Sequence, residues 1–181
     1  MDGIIEAAGL AKYYKQVKAL DGLDLNVPEG AFENVPDVGF LPSFDVGSIL
    51  YHNVRVLLLE AVLAVFSFGT MAVVLLMVPI AIIGFFAGQA PVLGASPWLL
   101  VGTFILPHGI AELPGAIIAT AMALRLGATV ISPPSGMTLS QGVLLAVADL
   151  LKVFVFLVLP LLAIAAVLEV WVTPWVIAQV W

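Results

Sequence analysis

The chain has 181 residues, of which 62% are hydrophobic and 10% are charged, whereas a soluble globular domain carries about 25% charged residues. Its net charge is −6 and it lacks cysteine, which excludes a basic nucleic-acid-binding surface, disulfides and thiolate chemistry. Residues 51–181 form a stretch that is too long and too apolar to stay soluble in water, so the lipid bilayer is their solvent. We therefore predict an all-α membrane protein, a bundle of about four transmembrane helices (range 3–5) located in the cell membrane.

Residues 1–50 are predicted to be an N-terminal cytoplasmic segment and linker, in front of a transmembrane helical domain at 51–181. Short β-like alternation occurs at 4–6 and 23–27, and Pro28-Glu29-Gly30 is a turn signal. Residues 31–50 show no periodicity and are predicted to be the linker. The segment lacks the basic-then-apolar run of a signal peptide, so the first transmembrane helix is expected to direct targeting.

Four apolar stretches follow, each predicted to cross the bilayer once, and the first is short for a span of about 20 residues. Gly69-Thr70 divides the first long stretch into two passes, and loop residues rich in proline, glycine and serine separate the others. The predicted spans are residues 54–69, 71–88, 98–127 and 141–170.

Basic residues near the ends of the spans predict the orientation. Lys12, Lys15, Lys18 and Arg55 precede the first span, which predicts a multi-pass protein with its N-terminus in the cytoplasm. Four passes return the C-terminus to the same side. The sequence then predicts a cytoplasmic aromatic belt formed by Trp98, Trp171, Trp175 and Trp181.

The third span contains the densest set of polar residues. His108 and Glu112 are four residues apart, so on a helix they share one face. Pro107, Gly109 and Pro114 surround them, and proline removes backbone hydrogen bonds from a helix. We predict a third helix broken by proline, with Pro107 at a helix start, and a polar site facing the bundle interior.

This candidate intramembrane polar site has two interpretations. A histidine that titrates near neutral pH beside a carboxylate fits a proton-responsive or ligand-binding site. Alternatively, the pair is a hydrogen-bonded contact that fixes helix packing, which is favoured because two residues are too few to define a transport path. A metal site needs at least a third ligand, so no metal and no cofactor is predicted.

Further ionisable residues in the spans are secondary candidates, since a charge at the bilayer centre costs at least about 2.5–3.5 kcal/mol. Asp149 and Lys152 are three residues apart and are predicted to form an ion pair that compensates their burial. Glu60 is predicted to reach another helix, at Lys152 or Arg125. Glu169 lies near the end of the fourth span, where an interfacial carboxylate is expected.

No catalytic set is present in the sequence. Intramembrane proteolysis requires paired aspartates, a Ser–His dyad or His-Glu-x-x-His, and His108-x-x-x-Glu112 matches none of these. We therefore predict a protein that is not an enzyme.

Residues 51–174 resemble the stage II sporulation protein M family. The resemblance rests on the string Ile105-Leu106-Pro107-His108-Gly109-Ile110-Ala111-Glu112-Leu113-Pro114, on His52-Asn53-Val54-Arg55, and on Leu168-Glu169-Val170-Trp171-Val172-Thr173-Pro174. Membership implies a multi-spanning membrane protein. The family's namesake acts in forespore engulfment together with cell-wall hydrolases, although many relatives occur outside spore formers.

Residues 1–30 resemble the start of an ABC-transporter ATP-binding subunit. The matching strings are Gly9-Leu10-Ala11-Lys12-Tyr13-Tyr14, Ala19-Leu20-Asp21-Gly22-Leu23-Asp24-Leu25 and Val27-Pro28-Glu29-Gly30. The phosphate loop G-x-x-x-x-G-K-[ST] is missing from the sequence, so ATP hydrolysis is not expected. The segment is then a vestige, a fusion remnant or a docking element, with the remnant favoured.

The resemblances and the residues together predict a non-enzymatic scaffold or permease-like subunit of a membrane complex. The alternative is the membrane subunit of an ABC-type transporter energised by a separate ATPase. Expected partners are the lipid bilayer and other complex subunits, among them a separate ABC ATPase, cell-wall hydrolases or a second copy of the chain. Nucleic acid is not an expected partner.

Overall fold

The computed structural model describes residues 3–14, 17–28 and 45–180. The chain divides into two compact units, residues 1–41 and 42–181. The first contains two antiparallel strands, β1 (Gly3–Tyr14) and β2 (Val17–Pro28). This hairpin confirms the β-like N-terminal segment. The predicted turn beyond Pro28 and the linker up to residue 44 lie outside the described residues.

The first helix, α1, begins earlier than predicted. It runs over Val46–Phe66, so residues 46–50 are helical and do not belong to a linker. The cause is an N-cap: the Asp45 carboxylate accepts a hydrogen bond from the Ser48 backbone N–H at 3.0 Å, which satisfies one of the free amides of the first turn. Hydropathy alone does not mark this start, because Gly47 and Ser48 are not strongly apolar.

Four helices among the described residues are long and apolar enough to cross a membrane, which confirms the predicted bundle. We call them the first to fourth spans. They are Val46–Phe66, Thr70–Val92, Pro97–Ile131 and Leu139–Val180. The second span comprises α2 (Thr70–Gln89) and the start of a short 3₁₀ helix (Ala90–Leu93).

The third and fourth spans alternate between α-helix and π-helix. The third span comprises α3 (Pro97–Leu100), π1 (Val101–Ile105) and α4 (Leu106–Ile131). The fourth span comprises α5 (Leu139–Val153), π2 (Phe154–Val158), α6 (Leu159–Val167), π3 (Leu168–Val172) and α7 (Thr173–Val180).

Each π segment ends two residues before a proline, at Pro107, Pro160 and Pro174. A proline ring clashes with the carbonyl four residues earlier, and a wider π turn relieves this clash. The predicted break at Pro107 therefore takes the form of a π turn, and the backbone stays helical from Pro97 to Ile131. The Leu106 N–H donates to the Val101 carbonyl, so no free helix start exists there.

The helical unit is organised around α4, which contacts α1, α2, α5 and α6. Its buried positions are mostly small residues, as expected where membrane helices approach closely. One core cluster comprises Ala61, Ala64, Ala72, Ala123, Leu126, Ala146 and Leu150. A second comprises Leu57, Ala119, Phe154, Val158 and Leu162.

Tryptophans gather at one end of the helical unit. Trp98 lies where the third span begins, and Trp171 and Trp175 lie near the end of the fourth. All three are exposed, as an interfacial aromatic belt requires. Trp181 lies outside the described residues.

Candidate functional site: a histidine–carboxylate cluster between two cavities

The predicted pair of His108 and Glu112 lies on one face of α4. His108 Nε2 is 3.9 Å from Glu112 Oε2, which is an ion-pair distance and too long for a hydrogen bond. The two side chains are 16% and 32% exposed, so both are largely enclosed by the bundle. His108 is eleven residues from the start of the third span, which is about 17 Å along the helix axis.

A third ionisable side chain joins this pair. Glu169 of π3 brings a carboxylate oxygen to His108 and Glu112, and one ligand atom from each residue lies within 4.8 Å of the others. The sequence analysis placed Glu169 near the end of the fourth span as an interfacial carboxylate. In the structure it belongs to the cluster, because the fourth span packs antiparallel to the third.

Thr173 completes the cluster. Its hydroxyl lies 3.2 Å from His108 Nδ1 and also donates to the Leu168 carbonyl at 3.2 Å. Leu168 is five residues earlier, and its carbonyl lies in the π turn that precedes Pro174. The π turn thus positions both Glu169 and Thr173. We refer to His108, Glu112, Glu169 and Thr173 as the cluster.

The other residues of the predicted site frame the cluster without joining it. Pro107 follows π1, and Pro114 lies inside α4 without interrupting the helix. Gly109 is buried, and a Cβ atom added there would come no nearer than 3.5 Å to Ile105. That is an ordinary contact, so space alone does not require glycine at this position.

Glu60 of α1 is the most deeply buried of the ionisable residues that the structure describes. It is 2% exposed. The Thr120 hydroxyl lies beside it, but the geometry is not that of a hydrogen bond, and among the described residues neither Glu60 Oε1 nor Thr120 Oγ1 has a partner. The predicted contact of Glu60 with Lys152 or Arg125 is wrong, because Glu60 Oε1 has no partner among the described residues and Arg125 pairs with Asp149.

Arg125 and Asp149 form the clearest ion pair of the helical unit. Arg125 Nη2 lies 3.0 Å from Asp149 Oδ2, across the interface of α4 and α5. The predicted pairing of Asp149 with Lys152 is therefore wrong: Asp149 turns toward α4, and Lys152 is exposed. Both paired residues lie in the half of the bundle opposite to the cluster.

Two cavities border the cluster. The first has a volume of about 310 Å³ and lies between α1, α2, α4 and α6; its polar lining residues are His52, Asn53, Glu60 and Glu112. The second has a volume of about 460 Å³ and is lined by His108, Glu169 and Thr173 together with apolar residues of π1, π3 and α7. Glu112 lines the first cavity and contacts the residues of the second, so the cluster lies between the two.

The model of one protein family, stage II sporulation protein M, matches residues 25–174. The chain belongs to the stage II sporulation protein M family. The match contains every residue of the cluster, the first cavity and the Arg125–Asp149 pair, and it contains the lining of the second cavity except Ile177. Comparisons with curated proteins and with solved structures gave no match.

The sequence analysis did not identify Thr173, Thr120 and His52 as parts of the polar interior of the bundle. Thr173 carried one usable signal, since it directly precedes Pro174 and lies five residues after Leu168, the spacing of a π turn. The sequence offered no such signal for Thr120 or His52, because threonine is common in membrane helices and His52 lies near the end of a predicted span.

Proposed function

We propose that this chain is a non-enzymatic, permease-like subunit of a membrane complex, and that the cluster contacts a solute inside the bundle. The observation that carries the proposal is the position of Glu112 between two cavities. Their volumes, about 310 and 460 Å³, fall in the usual range of small-molecule sites, about 300–1,000 Å³. A pair of residues that only fixed helix packing would need no cavity on either side.

The lining of the first cavity indicates what kind of solute it accepts. Glu60 Oε1 is buried and has no hydrogen-bond partner among the described residues. A buried polar group that lacks a hydrogen bond destabilises the fold by about 1–3 kcal/mol. Such a group is retained where it serves binding. Because Glu60 and Glu112 are both carboxyls, the solute would carry a cationic or hydrogen-bond-donating group.

The chemistry of the cluster supports a non-enzymatic role. His108 and Thr173 are close enough to resemble a base and a nucleophile. However, the Thr173 hydroxyl donates to the Leu168 carbonyl, so its proton is directed away from His108. Activation of a nucleophile needs proton transfer to the base, so this arrangement of the pair does not favour nucleophilic catalysis.

The absence of cysteine from the sequence permits a direct test of water access. Ala116 lines the first cavity and Val170 lines the second. We expect Ala116→Cys and Val170→Cys to react with a charged methanethiosulfonate reagent in membrane vesicles. Ala121→Cys is the matched control, because Ala121 lies on the same helix as Ala116 but lines neither described cavity.

The outcomes separate the permease-like role from a scaffold. If Ala116→Cys reacts no faster than Ala121→Cys, the cavity is closed to water and the permease-like role is lost. A scaffold also predicts that the double variant His108→Ala, Glu112→Ala assembles poorly without a change in solute flux. A permease-like subunit predicts the reverse, an assembled complex with lost flux.

We also infer that the N-terminus is cytoplasmic, supported by the basic residues that precede the first span. With four spans, this orientation exposes the loop before α5 on the outer surface. Ser135 lies in that loop and is exposed. A membrane-impermeant thiol reagent added to intact cells should label Ser135→Cys; labelling only after lysis would reverse the orientation.

A second candidate function is the membrane subunit of an ABC-type export system. The hairpin of β1 and β2 favours it, because these strands carry the strings that resemble the start of an ATP-binding subunit. A mild-detergent pull-down of the tagged chain from native membranes tests the partnership. A stoichiometric ABC ATPase supports the export system, whereas cell-wall hydrolases or no ATPase support a scaffold.

A further inference from the structure

We propose that His108, Glu112 and Glu169 form a binding site for a divalent transition-metal ion of the zinc type. Ligand atoms of the three residues lie within 4.8 Å of one another. A tetrahedral ion with bonds of about 2.0–2.2 Å separates its ligands by about 3.4 Å. Small rotations of the two glutamate side chains would therefore close the site around an ion.

The hydrogen bonds of Thr173 determine which histidine nitrogen is available. With the Thr173 hydroxyl donating to the Leu168 carbonyl, its oxygen is available to accept from His108 Nδ1–H. The proton of a neutral imidazole is then on Nδ1, and Nε2 presents a lone pair. This is the arrangement found around metal-ligating histidines, in which the second ring nitrogen is held by a protein acceptor.

The charges around Nε2 favour a cation. The Nε2 lone pair faces Glu112 Oε2 at 3.9 Å, and the Glu169 carboxylate lies in the same group. In their ionised forms, the two carboxylates would repel one another and the Nε2 lone pair at low dielectric. A divalent ion neutralises both carboxylates, which removes much of the cost of placing them inside a membrane.

The ligand types indicate which ions fit. One imidazole nitrogen and two carboxylates suit zinc and neighbouring transition metals. Calcium and magnesium prefer oxygen ligands alone, so the histidine disfavours them. Three protein ligands leave a fourth position open, and the cavity of about 460 Å³ lined by His108 and Glu169 offers space there for water or an exchangeable ligand.

This inference goes beyond the proposed function, because the site would bind an ion whether or not the chain moves a solute. The test uses the full chain, purified in detergent with a tag that lacks histidine and stripped of metal by a chelator. Titration with Zn²⁺, followed by calorimetry, should give one ion per chain. Titration with Co²⁺ should give visible absorption bands typical of four- or five-coordinate cobalt.

Three variants and two controls make the test specific. Glu169→Gln and His108→Ala should abolish stoichiometric binding, and Thr173→Val should weaken it about 10–100-fold, as for other residues that orient a ligand. His52→Ala and Glu60→Gln should leave binding unchanged, since both residues line the first cavity and not the site. Glu169→Gln is nearly isosteric, so it reports on binding even if His108→Ala fails to fold.

Three results would overturn the proposal. The first is a wild-type chain that takes up no Zn²⁺ or Co²⁺ after stripping. The second is equal affinity in the wild type and Glu169→Gln, and the third is a loss of binding in Glu60→Gln that Glu169→Gln does not share. The second and third results would place the ion away from Glu169.

Discussion

A Cβ atom added to Gly127 would lie 2.2 Å from the Gly69 backbone nitrogen and 2.5 Å from the Ala64 carbonyl oxygen. Gly69 follows Phe68 in the tight turn between α1 and α2, and both have positive φ angles, 92° and 56°. Its N–H donates to the Ala64 carbonyl at 2.7 Å. The turn therefore packs directly on α4, and the absence of a side chain at Gly127 permits this contact.

Gly127→Ala should destabilise the bundle, because the atoms that it meets belong to the backbone and cannot rotate away. Overpacking of this kind costs about 1–3 kcal/mol of the free energy of unfolding. Gly84→Ala is the matched control: a Cβ atom there meets nothing within 4 Å. Thermal unfolding in detergent measures both variants, and equal melting temperatures would show that the turn can move away from α4.

The start of α5 depends on a capping box formed by Thr138 and Gln141. Gln141 N–H donates to Thr138 Oγ1 at 3.3 Å, and Thr138 N–H donates to Gln141 Oε1 at 3.0 Å. We expect Thr138→Ala to lower the free energy of unfolding by about 1 kcal/mol. Thr138→Ser keeps the acceptor and should restore most of the loss; if Thr138→Ser and Thr138→Ala melt alike, the hydroxyl does not support the helix.

The four spans were predictable because each apolar run is bounded by glycine, proline or polar residues. The start of α1 was not, since it depends on one side-chain cap at Asp45 rather than on hydropathy. The π turns were partly foreseeable: Pro107 indicated an interruption of the third span, but the sequence could not distinguish a break from a widened turn. Pro160 and Pro174 have the same local relation to π2 and π3.

The candidate site was predictable only where its residues lie on one helix. The spacing of His108 and Glu112 fixes their common face. Glu169 is 57 residues beyond Glu112 in the sequence, so its place in the cluster depends on how the third and fourth spans pack. Helix rotation determines such contacts, and an apolar span with small residues on several faces does not specify that rotation in advance.

The partner of Asp149 illustrates the same limit. Local spacing suggested Lys152, whereas Arg125 of α4 lies 3.0 Å away. Asp149→Leu should therefore destabilise the bundle by about 0.2–1 kcal/mol, the contribution of a partly exposed ion pair, since it leaves the half-exposed Arg125 without its carboxylate. Lys152→Leu should have little effect on the melting temperature, and a similar loss in both variants would mean that Lys152 shares the pair.

At Glu60 we expect stability and function to respond in opposite directions to the same substitution. Its carboxyl oxygen Oε1 is buried and has no hydrogen-bond partner among the described residues, so an apolar side chain of similar size should fit better. We expect Glu60→Met to raise the free energy of unfolding by about 1–3 kcal/mol, while the loss of the carboxyl from the first cavity abolishes solute flux. Residues retained for binding commonly show this opposition.

Glu60→Gln is the matched control for that variant, because it keeps the volume and a polar group but removes the charge. It should lack the stability gain, since its amide remains buried without a partner. Thermal unfolding of both variants in detergent, together with a flux or complementation assay in cells, separates the two effects. If the Glu60→Met variant is less stable than the wild type, the Glu60 carboxyl already has a partner in the membrane. The first cavity would then belong to a permanent contact and would not be a site for an exchanging solute.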